Sequence, residues 1–215
     1  MRVEERFLKY VAVDTQSDEA SMTSPSTEKQ LVLAQMLADE LKELGLEDAH
    51  VDAFGVVYAK LSANAQGFPA IGLNAHMDTA TDLSGANVSP RIVANYDGGE
   101  IVLNPDVKMG PKEFPVLKEH IGEDLIVTDG TTLLGGDDKA AVAAIMTFAE
   151  YLCGHPEVHH GEIQLGFTPD EEVGRGTENF DVKDFGAEVA YTMDGDGLGG
   201  IYEESFNAWE AQVTI

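Results

Sequence analysis

Apolar residues change from helical spacing to short strand-like runs near residue 45. One apolar stripe covers residues 3–13, and a second, made mostly of leucine, recurs at near-helical spacing over residues 27–44. The glycine at position 45 is typical of a helix end, and two β-rich runs follow it at residues 56–61 and 70–74. The pattern predicts two helices followed by strands.

The second half of the chain alternates between strands and one apolar helix. A hairpin-like region is predicted around the Asp-Gly-Gly turn at residues 97–99, and a strand at residues 126–128. Residues 139–152 are small and apolar on nearly every side, which predicts a buried helix packed closely against a sheet. Strand-like runs at residues 162–167 and 188–192 complete the order. We therefore expect an α/β fold in which helices sandwich a sheet and ligands lie at strand ends.

The last residues of the chain alternate apolar and polar side chains like a strand. This run begins at Gly200 and stops at Ile215 without a turn, a cap or a polar tail. We expect the sequence to be a truncated protein. The alternative is an edge strand that ends the chain.

The charge balance argues against several classes of partner. Thirty-nine acidic and thirteen basic residues give a formal net charge of −26, which opposes binding to nucleic acid and to anionic membrane surfaces. No apolar run has the length of a membrane helix, and the first residues carry charges within their apolar pattern, unlike a signal peptide. The single cysteine, Cys153, cannot form an internal disulfide. These features predict a cytoplasmic protein.

Four short polar clusters follow apolar runs. They are His76 with Asp78, Asp137 with Asp138, Glu171 with Glu172, and Asp194. Taken alone, each has an ordinary explanation: a satisfied histidine, a helix cap, an exposed acidic loop or an Asp-Gly turn. Four independent acidic loops would rarely all follow buried strands in one chain, so we interpret the clusters together as one site.

The residue types in these clusters indicate a pair of divalent metal ions. A histidine such as His76 at a strand end binds a metal through one ring nitrogen, and Asp78, two residues on, can orient the other nitrogen. A bridging carboxylate belongs on the rigid start of a helix, where Asp137 and Asp138 lie. Mixed nitrogen and oxygen donors suit zinc, cobalt or manganese.

The two adjacent glutamates have different predicted roles. Pro169 and Gly174 break the strand here, so the backbone turns at the pair. In a two-metal site a general base must stay free of metal so that it can take the proton of the attacking water. We interpret Glu171 as this base and Glu172 as a metal ligand.

Five segments together resemble the peptidase T family, the tripeptide aminopeptidases of the co-catalytic zinc exopeptidases. They are STEKQ, IGLNAHMDTA, TDGTTLLGGDDKAAVAAIM, FTPDEEVGRGTENFDV and AYTMDGDG, in this order along essentially the whole chain. The combination of H-x-D, G-x-D-D-K, T-P-D-E-E-x-G and D-G is far more specific than any of its members.

The resemblance implies a fold and a metal site. The fold is the zinc-exopeptidase catalytic domain, phosphorylase/hydrolase-like, with a mixed sheet between helices, of which this chain is the N-terminal part. The site would hold two zinc ions. His76 and Asp194 would bind one ion, Glu172 would bind the other, and Asp137 would bridge both.

The resemblance also implies a reaction. Asp78 would support His76, and Glu171 would move a proton from water to the leaving amine as the N-terminal residue of a tripeptide is released. The peptide bond between Asp137 and Asp138 is expected to be cis. Other functions stay open. The protein could be a related dipeptidase, carboxypeptidase or amidohydrolase on the same scaffold, or a non-catalytic metal-binding module.

The resemblance finally sets expectations for the domains. Residues 1–205 would be the N-terminal portion of the catalytic domain, and residues 206–215 the start of a lid and dimerisation domain. The rest of that domain, and the last metal histidine, would follow Ile215. We therefore expect this chain alone to be weakly active or inactive, and the full-length parent to be a homodimer that acts on tripeptides.

Overall fold

The computed structural model describes residues 1–195 and 199–204 and has a mixed α/β fold. The helices are α1 (Val3–Val11), α2 (Gln30–Glu43), α3 (Gly136–Gly154) and α4 (Val182–Phe185), with 3₁₀ helices at Pro115–His120 and Glu171–Val173. The strands are β1 (Glu47–Val51), β2 (Val57–Leu61), β3 (Ile71–His76), β4 (Arg91–Val93), β5 (Ile101–Val102), β6 (Lys108–Met109), β7 (Leu125–Val127), β8 (Ile163–Thr168) and β9 (Val189–Thr192). The predicted fold class is confirmed.

The main sheet is mixed and places three parallel strands side by side. Its order is β1-β2-β8-β3-β9, in which β1–β2 and β2–β8 are antiparallel and β3 is parallel to both β8 and β9. The carboxyl ends of β3, β8 and β9 therefore meet at one edge of the sheet. The predicted strands β2, β3, β7, β8 and β9 are confirmed, whereas β1 was not predicted.

The hydrophobic core lies between one face of this sheet and helices α1, α2 and α3. Ile163, Leu165 and Phe167 of β8 point into that core, as the period of two along a strand requires. On the opposite face, a Cβ on Gly166 would lie 2.9 Å from the ring of Phe180. Phe180 packs edge-on against Phe185 of α4, with ring centroids 4.9 Å apart. The three longer helices thus cover one face, and the aromatic pair covers part of the other.

Helix α2 is shorter than the predicted span of residues 27–44. It begins at Gln30, and the residues before it form turns in which the carbonyls of residues 27–29 accept the N–H groups of residues 30–32. Its end is as predicted. Gly45 has φ +84°, its N–H donates to the Lys42 carbonyl, and the next N–H, of Leu46, reaches back within the helix to Leu41. These two bonds form a Schellman motif, for which glycine has the required left-handed freedom.

A smaller β unit occupies residues 91–127 and corrects the predicted hairpin. A turn does lie at residues 97–99, where the Gly99 N–H donates to the Asp97 carboxylate at 2.8 Å. The strands on its two sides do not pair with each other, however, since β4 pairs with β7 and β5 pairs with β6. Tyr96 exchanges backbone hydrogen bonds with residues 122 and 123 instead, which carries the chain away from a hairpin.

The end of the chain is described only in part. Residues 200–204 have no regular secondary structure. The rest of the predicted terminal strand and the predicted segment 206–215 lie outside the described residues. Within the described ranges, no helix has both the length and the apolar character that a membrane crossing requires.

Candidate metal centre

Three of the four polar clusters lie at the edge of the sheet where the parallel strands end. His76 is the last residue of β3 and is paired with Thr168, the last residue of β8. Glu171 follows β8 by three residues, and Asp194 follows the end of β9 by two. Parallel strands bring their carboxyl ends together, so sequence clusters that are far apart along the chain meet in space.

The fourth cluster reaches this edge at the start of α3. The peptide bond between Asp137 and Asp138 is cis, as the resemblance implied, and neither residue has helical backbone angles. Regular helix therefore begins at Lys139, where the sequence predicted it. Gly135 precedes the pair with φ +77°, a conformation that glycine adopts without steric cost.

His76, Asp137 and Asp194 form a group with the geometry of a cation site. One ligand atom from each lies within 4.8 Å of the other two. His76 Nε2 is 2.9 Å from Asp137 Oδ1 and 4.0 Å from Asp194 Oδ1. Glu171 Oε2 is 3.9 Å from the same nitrogen. Three residues proposed as ligands from sequence are thus together, with the proposed base beside them.

Asp78 joins His76 to the glutamate pair. His76 Nδ1 lies 3.4 Å from the Asp78 carboxylate and 3.1 Å from the Asp78 carbonyl oxygen, which leaves Nε2 directed at the acidic group. The same carboxylate accepts the backbone N–H groups of Glu171 at 3.0 Å and Glu172 at 3.1 Å. Ser17 donates its hydroxyl to it as well, at 2.5 Å. Asp78 is wholly buried, and its role in supporting His76 stays a prediction.

Glu172 stands apart from the three clustered residues. It is not in the group whose ligand atoms lie within 4.8 Å of one another among the described residues. Its backbone N–H is held by Asp78, and burial raises the pKa of its carboxyl group against the charge of His76 and aided by that of Asp137. Its role as ligand to a second ion stays a prediction.

The electrostatics of the site favour a cation at His76 Nε2. Burial alone lowers the pKa of His76, but the hydrogen bond and charge of Asp78, followed by the charge of Asp138, outweigh burial and raise that pKa to about 10. Burial together with nearby carboxylates raises the pKa of Glu171 and of Asp194 against the opposing effect of His76. Crowded carboxylates around one imidazole suit a bound metal ion, which would relieve their mutual repulsion. The residues present therefore fit a metal.

Asp138 has a structural contact that the sequence did not reveal. Its side chain is buried, and its carboxylate accepts the backbone N–H of His76 at 3.2 Å. Burial raises the pKa of Asp138 to about 8, against the charge of His76 and aided by that of Asp194. Asp138 thus fixes the end of β3 while its neighbour Asp137 faces the cation site.

Residues outside the four clusters also support the site. Lys139 is buried, and its Nζ donates to the Val13 carbonyl at 2.7 Å. Gln30 and Ser26 hold the side chain of Asp170, which directly precedes Glu171. One signal could have identified Gln30: it falls in phase with the leucine stripe at positions 33, 37 and 41 yet is polar.

A cleft of about 480 Å³ opens beside the metal centre. Its acidic side chains are Glu171, Glu188 and Asp194, and Phe180 and Phe185 give it an apolar wall. No lysine or arginine is among its lining residues in the described part of the chain. The arrangement offers a cation site, a free glutamate and an anionic, partly apolar cleft within one space.

The chain is similar to known proteins over 98% of its length. No family model matches the chain. Curated relatives named Peptidase T do: that of Desulfitobacterium hafniense strain Y51 is 56% identical over 214 residues, 98% of this chain and 52% of the relative. That of Clostridium acetobutylicum is 55% identical with the same coverage. The resemblance predicted from the sequence motifs is confirmed.

A solved structure is also similar to this chain. Aminopeptidase PepT from Bacillus cereus superimposes with a TM-score of 0.65 and 25% identity, covering 91% of this chain and 43% of that one. The chain spans about half the length of the curated relatives it matches.

Proposed function

We propose that this chain is part of a metal-dependent aminopeptidase that releases the N-terminal residue of tripeptides. The observation that carries the proposal is the convergence of His76, Asp137 and Asp194 beside Glu171. It occurs in a chain that is 55–56% identical to proteins named Peptidase T.

Each residue of the site would have a separate role in peptide hydrolysis. His76, Asp137 and Asp194 would hold metal, which when bound activates water and polarises a carbonyl group. Asp78 would keep the His76 ring turned so that Nε2 faces the site. Glu171 would hold the proton of the attacking water and pass it to the leaving nitrogen, and the burial that raises its pKa brings that carboxylate nearer to the range a general base needs.

The cleft supports a substrate with a free amino terminus. Glu171, Glu188 and Asp194 make it anionic, and the described lining offers no lysine or arginine to a substrate carboxylate. An ammonium group is therefore favoured over a carboxylate by simple electrostatics. This observation supports aminopeptidase over carboxypeptidase activity.

Several finer features belong to the same proposal. The metal would be zinc, with two ions per site, the second one bound by Glu172 and bridged by Asp137. The full-length enzyme, meaning this chain continued over the length of its relatives, would be a cytoplasmic homodimer. Residues 1–205 would be the first part of its catalytic domain, and residues 206–215 would begin a lid and dimerisation domain.

Two experiments test the proposal. In this chain, His76→Ala should weaken Zn²⁺ binding in a calorimetric titration by about tenfold to hundredfold or more, whereas His120→Ala, at an exposed histidine that contacts Glu123, should not. In the full-length enzyme, Leu-Gly-Gly should be cleaved, N-acetylated Leu-Gly-Gly should not, and the C-terminal amide should be tolerated. Cleavage that requires a free carboxylate would indicate a carboxypeptidase. Zinc binding without any hydrolysis would indicate a non-catalytic metal-binding module.

A further inference from the structure

Asp170 is a buried carboxylate immediately before the glutamate pair. Its side chain is 0% exposed. Its oxygens accept the Ser26 N–H at 2.9 and 2.8 Å, and Oδ1 accepts the Gln30 side-chain amide at 2.8 Å. Gln30 is the first residue of α2 and Ser26 lies just before it, and both are 140 or more residues away along the chain. The turn that carries Glu171 is therefore anchored to α2.

The backbone of Asp170 is held as firmly as its side chain. Its N–H donates to the Gln30 side-chain oxygen Oε1 at 3.2 Å, and its own carbonyl accepts the Arg175 N–H at 2.9 Å. It has φ +63°, a left-handed conformation that a non-glycine residue adopts only at a steric cost. This conformation turns the chain out of β8 and into the 3₁₀ helix Glu171–Val173.

The chemistry of this network indicates a role beyond stability. Asp170 makes no salt bridge among the described residues, so its burial is compensated by the neutral donor groups of Ser26 and Gln30. A buried carboxylate without a cationic partner is costly. Residues held in an uncommon backbone conformation by such contacts are typical of functional sites.

The glutamate pair is consequently fixed from two sides. Asp78 accepts the N–H groups of Glu171 and Glu172 on the side of the metal centre. Asp170, held by Ser26 and Gln30, fixes the residue before them on the side of α2. Because a displacement of about 1 Å can cost about a hundredfold in rate, the second anchor bears directly on where the Glu171 carboxylate lies.

We infer that Asp170 is a positioning residue, which acts through the Ser26–Gln30 network to hold Glu171 and Glu172 in their working orientation. The inference rests on the proposed function, since it assigns Glu171 and Glu172 to the reaction. Asp170 itself is neither in the group of clustered ligand atoms nor, among the described residues, one of those that line the cleft.

The test compares three variants of the full-length enzyme. Asp170→Asn puts an amide group against two donors and should lower kcat for Leu-Gly-Gly by about tenfold to hundredfold, with KM within about twofold. The double variant Asp170→Asn with Gln30→Glu exchanges amide and carboxylate across the same hydrogen bond and should restore most of that loss. Gln30→Met keeps the volume of the side chain but removes its bonds, and it should lower kcat by a smaller factor.

The controls separate positioning from folding. Asp124→Asn alters an exposed carboxylate that likewise accepts a backbone N–H, that of Asn95, and should leave kcat unchanged. Rates are expressed per folded molecule from thermal unfolding, and Co²⁺ added to each enzyme reports ligand geometry by its visible absorption. The Co²⁺ spectrum should change in Asp170→Asn and return in the double variant.

Failure of the positioning role can be distinguished from failure of the proposed function. If the unsubstituted enzyme cleaves no peptide, the proposed function fails. If it is active while folded Asp170→Asn and Gln30→Met keep kcat and the Co²⁺ spectrum unchanged, the positioning role is wrong. Should Asp170→Asn not fold, an unchanged kcat in folded Gln30→Met, or no recovery in the double variant, would equally overturn it.

Discussion

The carboxylate of Asp78 accepts the backbone N–H of Glu171 at 3.0 Å, which ties the end of β3 to the turn after β8. The same carboxylate lies 3.4 Å from His76 Nδ1. One buried side chain thereby sets both the orientation of a proposed metal ligand and the position of the proposed base. A histidine and a glutamate separated by 95 residues in sequence depend on the same carboxylate.

Removing the charge of Asp78 should loosen both the His76 ring and the turn that carries Glu171. Asp78→Asn replaces an acceptor by an amide whose NH₂ faces backbone N–H donors, so Zn²⁺ affinity of this chain should fall by about tenfold to hundredfold. Calorimetric titration measures the change. Asp82→Asn, at an exposed carboxylate nearby in the sequence, is the matched control and should bind Zn²⁺ like the parent. Equal affinities for Asp78→Asn and Asp82→Asn would exclude the supporting role.

The buried Tyr10 should make the fold sensitive to alkaline pH. Its hydroxyl donates to Glu40 at 2.7 Å, and burial, followed by that hydrogen bond and charge, raises its pKa well above the usual value of 10. Because the folded state holds this proton more tightly than the unfolded state, the stabilisation is complete below pH 10 and is lost as the pH rises above 10. The free energy of unfolding should fall there by up to about 1.4 kcal/mol per pH unit.

Tyr10→Phe isolates this effect. It should cost about 1 kcal/mol at neutral pH through the lost hydrogen bond and should flatten the decline above pH 10. Urea unfolding at several pH values measures both. An equally steep alkaline decline in Tyr10→Phe would show that another group is responsible.

Two glycines of the fold should respond oppositely to alanine. A Cβ on Gly161 would meet the backbone carbonyl of Pro69 and lie 2.9 Å from Phe68 Cβ, whereas nothing lies within 4 Å of a Cβ on Gly154. Gly161→Ala should therefore lower the free energy of unfolding by about 1–3 kcal/mol. Gly154→Ala should be neutral or slightly stabilising because alanine has the higher helix propensity. Similar stabilities for the two variants in urea would contradict the close packing at Gly161.

The pattern of apolar and polar residues along the chain predicted most strands of the main sheet and the clustering of the proposed ligands. The leucine stripe predicts α2 and Gly45 predicts its end, because a helix and its termination depend on residues that are neighbours along the chain. His76 and Asp194 meet because the carboxyl ends of parallel strands share one edge, which is a general property of parallel sheets. Asp137 reaches the same edge from the start of α3.

What the sequence did not predict depends on long-range contacts. The apolar stripe predicts a helix from residue 27, yet α2 begins at Gln30, just after Ser26 and Thr27, which bond to Asp170 and Gln16. The turn at Asp97 looks like a hairpin, yet Tyr96 bonds to residues 122 and 123. In both cases a partner far along the chain competes with the local preference, and local spacing carries no information about that partner.

The most direct test of the central claim is Glu171→Gln in the full-length enzyme, with zinc content and Leu-Gly-Gly hydrolysis measured on the same samples. The account predicts unchanged zinc content and a kcat lower by about a hundredfold to ten-thousandfold, because Glu171 handles the proton and does not hold the metal. A variant that keeps its activity, or that loses zinc and activity together, would contradict Glu171 as the general base of a metallopeptidase.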